Sequence, residues 1–299
     1  MIYQIDELPV FSTITVIINV DTCMVTTLAI FSAKRYTSDD VLVLDCSKDK
    51  NEIEYLEKLQ TKEKFYLCKL PLQIHGKTID FLFRALKADY IRLLDSDAEL
   101  LSSNWIGTDL LGKGSVFGCG FFHEPHMMDN KAMRGGKFHF YQERMYIPCV
   151  LLKTKFVKQA LEAGKTFAAK KVYNDFPRLP LLSHLLYFRF AFRFFQNHDV
   201  RLFRIFRHTY GEYFKPSMVY YDTGAEIYLY LKYQKGLDFI GYPMKYHNSY
   251  FSHYHGITRK ILNKKDFNAT SYDDVGRIVY HRLCSEYHFD FFDFVGVAK

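Results

Sequence analysis

The stretch Ile91-Arg92-Leu93-Leu94-Asp95-Ser96-Asp97-Ala98-Glu99-Leu100 decides how the rest of this chain is read. Ile91 to Leu94 has the composition of a short strand buried in a sheet, and it stops abruptly at Asp95-Ser96-Asp97. Carboxylates at i and i+2 where a strand runs out reach one hard cation. Magnesium or manganese is held through one or two carboxylates together with phosphate oxygens and water. The same residues are also good turn formers. Taken alone, the motif reads equally as a metal site or a solvated turn, and its context has to choose.

Upstream, residues 13–20, TITVIINV, are β-branched and nearly all apolar, as a strand buried on both faces should be. A helical stretch follows from Thr22 to Lys34. VLVLD (41–45) is a second strand ending at Asp45, Glu52 to Leu59 has helical spacing, and KFYLCKL is a third strand. Residues 75–88 predict a helix with Ile79, Leu82, Phe83 and Leu86 on one face, leading into the strand of the opening stretch. Strand-helix alternation at this interval predicts a doubly wound, mainly parallel α/β sheet. Ligands of such sheets bind beyond the carboxyl ends of the strands. Asp45 and Asp95-Ser96-Asp97 therefore face one crevice, which favours the metal site over the turn.

Downstream the pattern changes. Ser115 to Phe122 is strand-like, with Gly118 and Gly120 admitting close approach of a ligand or another backbone. Residues 123–144 read as a long loop suited to an acceptor-site lid. MYIPCVLL is another strand, and Thr154 is the N-cap candidate of a helix reaching Ala163. Residues 219–236 read as a strand ending at Asp222, a Thr-Gly turn, and a helix closing at Gly236. A strand and turn, LDFIGYPM, then precede His247, His253 and His255. The expected organisation is one compact domain. It has a donor-binding half over 1–120, an acceptor-binding and catalytic half over 121–260, and a C-terminal extension over 261–299.

The chain has 299 residues, 48% hydrophobic and 24% charged, which excludes a disordered protein. A net charge of +7 suits a phosphate-bearing partner. Six scattered cysteines without zinc spacing predict buried free thiols in a reducing compartment. Neither a secretory signal nor a spanning run is apparent, so a cytoplasmic location is expected. Residues 181–207 carry Arg189, Arg193, Arg201 and Arg204 near one helical face among Phe and Leu. That pattern fits a segment lying on an anionic membrane surface, peripheral on the cytoplasmic face. Packing into the core or a homodimer contact is the alternative. No recognition module accompanies the charge, so nucleic acid is not an expected partner.

The ordered run TVIINV, VLVLDCS, FYLCKL and HGKTIDFLFRALKADYIRLLDSDAEL resembles the GT-A family of nucleotide-sugar glycosyltransferases, in particular its family-2-like group, over about 90 residues. The resemblance implies a GT-A-like fold; the residues themselves add to it a helical, aromatic-rich C-terminal addition. It implies Asp45 beside the base or ribose, and His75, Gly76, Lys77 and Asp80 near the nucleotide. Asp95 would touch the ribose or metal with Ser96 beside the nucleotide, and Asp97 would ligate the metal bridging the diphosphate. Many relatives have a Pro-x-Tyr-Asn turn after strand one; this chain has Asn19-Val20-Asp21, and the resemblance implies that Asp21 would take part of that nucleotide contact. In outline the C-terminal half also resembles the family, which implies Asp222, or Glu226 on the following helix, as the base, although the family's usual Glu-Asp pair is absent. His255 is the candidate third metal ligand, because imidazole accepts divalent metals.

The activity so implied is metal-dependent, inverting transfer of a sugar from a nucleotide-diphosphate donor to a glycan or lipid-linked acceptor in surface polysaccharide assembly. Manganese or magnesium would serve as cofactor. Transfer needs the leaving diphosphate neutralised, the acceptor hydroxyl deprotonated, and both reactants held in line away from water. Two other readings stay open. One is a non-catalytic carbohydrate-binding protein on the same fold. The other is a haloacid-dehalogenase-like phosphatase, which normally carries Asp-x-Asp on its first strand rather than its fourth.

Overall fold

A computed structural model of the chain describes residues 1–103, 107–112, 114–129, 138–173, 218–244, 247–254 and 269–296. They group into two compact units that interleave in sequence. The first is Met1–Glu124, Glu143–Ala168 and Thr223–Lys299; the second is Pro125–Gln142 and Ala169–Asp222.

The first unit is built on a seven-stranded sheet. Strands β1 (Phe11–Asn19), β2 (Asp40–Asp45), β3 (Tyr66–Lys69) and β4 (Ala88–Asp95) pair in parallel in the order β3-β2-β1-β4. After β5 (Ala98–Leu100) comes β6 (Val116–His123), and after it β9 (Arg144–Lys153), which runs antiparallel between β4 and β6. Strand β12 (Asp238–Pro243) completes the sheet parallel to β6. Six strands thus point one way and β9 opposes them, the mainly parallel α/β class that was expected. At Gly118 the close neighbour is β9: an added Cβ would lie 2.9 Å from the Leu151 carbonyl oxygen.

Period-two burial divides the strands between two cores. Ile17, Val41, Val43 and Leu94 face α1 (Cys23–Tyr36) and α2 (Lys50–Lys62). Ile14, Val16, Leu42 and Leu44 face α3 (His75–Ala85) and α4 (Thr154–Glu162). Burial on both faces is why these strands read as unbroken apolar runs. The exception inside β4 is Arg92, whose buried Nε donates to Asp39 Oδ2 at 2.7 Å. Helix α2 starts at Asp49, whose side chain accepts from the Asn51 amide. Lys153, not Thr154, occupies the cap of α4; Thr154 is already the first helical residue, its hydroxyl buried.

After the Thr223-Gly224 turn the expected helix is α5 (Ala225–Leu229) with a π turn over Tyr230–Gln234, and beyond it come α6 (His247–Tyr250), β13 (Phe251–His253), α7 (Ala269–Tyr287) and α8 (Phe291–Val295). The segment after Leu229 ends near Gly236, which takes φ +64. Aromatic contacts seat α8 and the segment before it: Tyr55 meets Phe291 and Phe294, and Phe31 meets Tyr287 and Phe289. Part of the aromatic excess therefore serves this core. All six cysteines are free; Cys46, Cys68, Cys119 and Cys149 are buried, and burial pushes the Cys46 and Cys68 thiols up to about 11.

The second unit holds a four-stranded sheet, β10-β11-β8-β7, from β7 (His126–Asp129), β8 (Phe138–Tyr141), β10 (Lys170–Tyr173) and β11 (Met218–Tyr221). This corrects the expectation of a structureless loop over 123–144. Each of β7 and β8 has only four residues, too few to show alternation, and pairing of β8 with β11 and of β7 with β8 supplies partners that no local pattern announces.

Candidate metal centre

The parallel register brings Asn19, Asp45 and Asp95 to one edge of the sheet. Beyond Asp95, the chain turns through Ser96 and Asp97 and goes straight into β5. β5 pairs antiparallel with β13, with His253 opposite Ala98, and the Tyr254 amide donates to the Asp97 carbonyl at 2.8 Å. This pairing carries His253 to the acidic turn. Its Nε2 lies 3.0 Å from Asp97 Oδ1 and 3.8 Å from Asp95 Oδ2. One ligand atom from each of Asp95, Asp97 and His253 falls within 4.8 Å of the others.

The donor set fits a divalent cation. Ligands at about 2.1 Å from an octahedral ion stand roughly 3 Å apart in cis positions, close to the separation of His253 Nε2 from Asp97 Oδ1. Carboxylate and imidazole together suit manganese and its neighbours. On the other side of the imidazole, Tyr146 Oη sits 2.7 Å from Nδ1. Burial, and then the charges of Asp95 and Asp97, push the Tyr146 hydroxyl well above its ordinary value, so it stays protonated. A partner on the remote nitrogen fixes the orientation and tautomer of a ligating histidine.

Under the turn lies a closed polar network. Asn19, fully buried, directs Nδ2 toward Asp45 Oδ1 (2.9 Å), Ser47 Oγ (2.9 Å) and Glu52 Oε2 (3.1 Å). Its Oδ1 accepts from Thr22 and Thr26, and the Thr22 hydroxyl is 3.3 Å from that of Ser96. Asp45 stands at the expected sheet edge but is fully buried, ion-paired with Lys69 at 2.5 Å. Asp21, at φ 51, turns its carboxylate back to the amides of Lys48 and Asp49.

The other singled-out residues lie apart from this cluster in their contacts. His75 and Lys77 are exposed on the first turn of α3. Asp80 accepts hydrogen bonds from the Thr166 hydroxyl and, at 2.7 Å, from the Phe167 amide. Glu226, on the first turn of α5, is 3.9 Å from Lys165. Asp222 belongs to the second unit, and His255 lies outside the described residues, as does the arginine stripe of 181–207. Sequence reasoning missed His253, ranking it below His255, and missed Tyr146 and Asn19. The usable signal was the alternation Phe251-Ser252-His253, which a strand places with its apolar and imidazole side chains on one face.

Gly76 shows why a glycine opens α3. A Cβ there would stand 2.4 Å from Ala168 Cα and 2.5 Å from its nitrogen, so the backbone of 167–168 fills the space. Gly76→Ala is expected to destabilise the chain by about 1–3 kcal/mol, the usual cost of overpacking. Urea unfolding checks this; unchanged stability with weakened nucleotide binding would instead place a ligand over Gly76.

No family model and no curated protein matches this chain. Solved structures similar to it include the bifunctional glycosyltransferase WbbM (14% identity, TM-score 0.36, 52% of this chain and 34% of that one). Another is 4-diphosphocytidyl-2C-methyl-D-erythritol synthase from Anaerococcus prevotii (8% identity, TM-score 0.37, 52% and 76%). A third is glucosyl-3-phosphoglycerate synthase from Mycobacterium tuberculosis, solved with Mn2+, UDP and glucosyl-3-phosphoglycerate (12% identity, TM-score 0.33, 49% and 58%). The match thus spans about a third of the WbbM chain and half of this one. Among the described residues, no helix is long and apolar enough to cross a membrane.

Proposed function

We propose that this chain is a metal-dependent glycosyltransferase that binds a nucleotide-diphosphate sugar at the Asp95–Asp97–His253 edge and transfers the sugar, with inversion, to a glycan or lipid-linked acceptor. The observation that carries the reading is the convergence of two strand-end carboxylates and an imidazole within 4.8 Å, at the edge where α/β sheets take their ligands. A bound divalent cation would supply neutralisation of the leaving diphosphate. Asp95 and Asp97 would hold it through oxygen, and His253 through Nε2, with Tyr146 keeping the ring turned inward.

In this reading Ser96 and the Asn19 network hold the turn rigid, so the carboxylates meet the ligand without rearranging. His75 and Lys77 offer hydrogen bonding and positive charge toward the nucleotide from the first turn of α3. Proton removal from the acceptor hydroxyl is assigned to Asp222 or Glu226. Direct attack assisted by one base produces inversion at the anomeric carbon. The lipid-linked acceptor and a role in surface polysaccharide assembly follow from the family resemblance.

The test is a thermal-shift screen of nucleoside diphosphates and nucleotide sugars with and without manganese. One nucleotide series is expected to raise Tm only with the metal, and chelation should abolish the shift. Ligand at about 100 times Kd stabilises by about 2.7 kcal/mol, which such a scan resolves. A Tm indifferent to every nucleotide sugar would sink the transferase reading, and stabilisation by free glycans alone would favour the carbohydrate-binding protein. Release of inorganic phosphate from phosphomonoesters would favour the phosphatase.

A further inference from the structure

β5 and β13 pair over three residues each, and an isolated two-stranded ladder is marginal by itself. Something more must keep His253 against Asp97. Glu99, on β5, is fully buried, and its carboxylate collects donors from three directions. Arg282 of α7 approaches with Nε at 3.0 and 3.2 Å and Nη2 at 2.6 Å, spanning both oxygens. Tyr287, also of α7, donates its hydroxyl at 3.0 Å. Tyr254 donates its own at 2.8 Å, and Tyr254 is the residue directly after His253. A guanidinium that spans a carboxylate fixes orientation as well as charge.

We infer that Glu99, gripped by Arg282 and Tyr287, is the positioning residue for the third metal ligand. It holds Tyr254, hence the end of β13, in the register that brings His253 Nε2 to Asp97. The divalent-cation affinity of the site is therefore set in part from α7, through Arg282 and Tyr287. The inference rests on the reading of Asp95, Asp97 and His253 as a cation site. It assigns a task to Glu99 and Arg282 that sugar transfer itself does not require of them.

The test is manganese binding to the full chain, measured as loss of the free-ion paramagnetic resonance signal. The variants are His253→Ala, the double variant Glu99→Leu with Arg282→Leu, and all three changes together. Replacing both partners with apolar residues leaves no unpaired buried charge. The double variant is expected to bind manganese about 10–100-fold more weakly, the usual range for partners that orient a ligand. Combined with His253→Ala it should cost nothing further, since positioning acts through the imidazole. Arg282→Lys and Tyr254→Phe, milder changes, should each weaken binding in the same non-additive way if the double variant does not fold. Wild-type affinity in these variants, or losses that simply add to that of His253→Ala, would overturn the inference while leaving the metal site standing. A wild-type chain that ignores manganese, or a His253→Ala variant that binds it normally, would remove the site itself and this inference with it.

Discussion

Replacing Asp97 with alanine is expected to lower kcat/KM for sugar transfer by about 10³-fold or more and to abolish manganese-dependent nucleotide binding, with the fold intact. The magnitude follows from the several kcal/mol a metal contributes to charge stabilisation, at 1.36 kcal/mol for each tenfold in rate. The fold should survive because the Asp97 carbonyl oxygen, which accepts from the Tyr254 amide at 2.8 Å, is retained by alanine. Its carboxylate is left facing His253 Nε2. The measurement pairs steady-state transfer kinetics with manganese titration and a urea midpoint. Unchanged metal dependence in Asp97→Ala would dismiss the assignment of the turn as a metal anchor.

The second large effect is expected at the base. General-base catalysis contributes roughly 10²–10⁴-fold. Of Asp222→Asn and Glu226→Gln, one should lose transfer by that factor while donor binding, read from the manganese-dependent thermal shift, stays at the wild-type value. The side chains differ in what they are bound to. Glu226 is placed on the first turn of α5 and faces Lys165 across 3.9 Å, an ion pair within the first unit. Asp222 follows β11 at the end of the second unit. Glu226→Gln thus also removes an ion pair, and a fall in stability without a fall in transfer would mark Glu226 as structural. Retention of transfer by both variants would move the base to another residue.

Much of the fold was legible before any coordinates. The β-branched runs at β1 and β2 and the helical spacing of α2 and α3 each announce one element. Their alternation implies parallel pairing, because a strand buried on both faces needs helices on both sides. Burial then sends alternate residues of β1 and β2 to the two cores. Legibility failed where partners are remote. β7 and β8 belong to a sheet that includes β11, and strands of four residues carry too little alternation to be seen without it. No element was expected at β5. Three residues fall below the length at which a period can be recognised.

The candidate site divides in the same way. The sequence by itself determined that two carboxylates stand where a buried strand runs out, since i and i+2 spacing at a strand end is a local property of Asp95-Ser96-Asp97. It also determined that Asp45 ends the neighbouring strand, though not that Lys69 and Asn19 enclose its carboxylate. Only the tertiary structure brings His253 to the acidic turn. His253 lies 156 residues from Asp97 in sequence, and a three-residue backbone ladder brings it there. Backbone hydrogen bonds are blind to side-chain identity, so no spacing rule separates His253 from His255. A shift of one residue in that ladder would turn the imidazole to the opposite face of β13, and the register is held by Glu99 and Tyr254, side chains whose contact exists only in the folded chain.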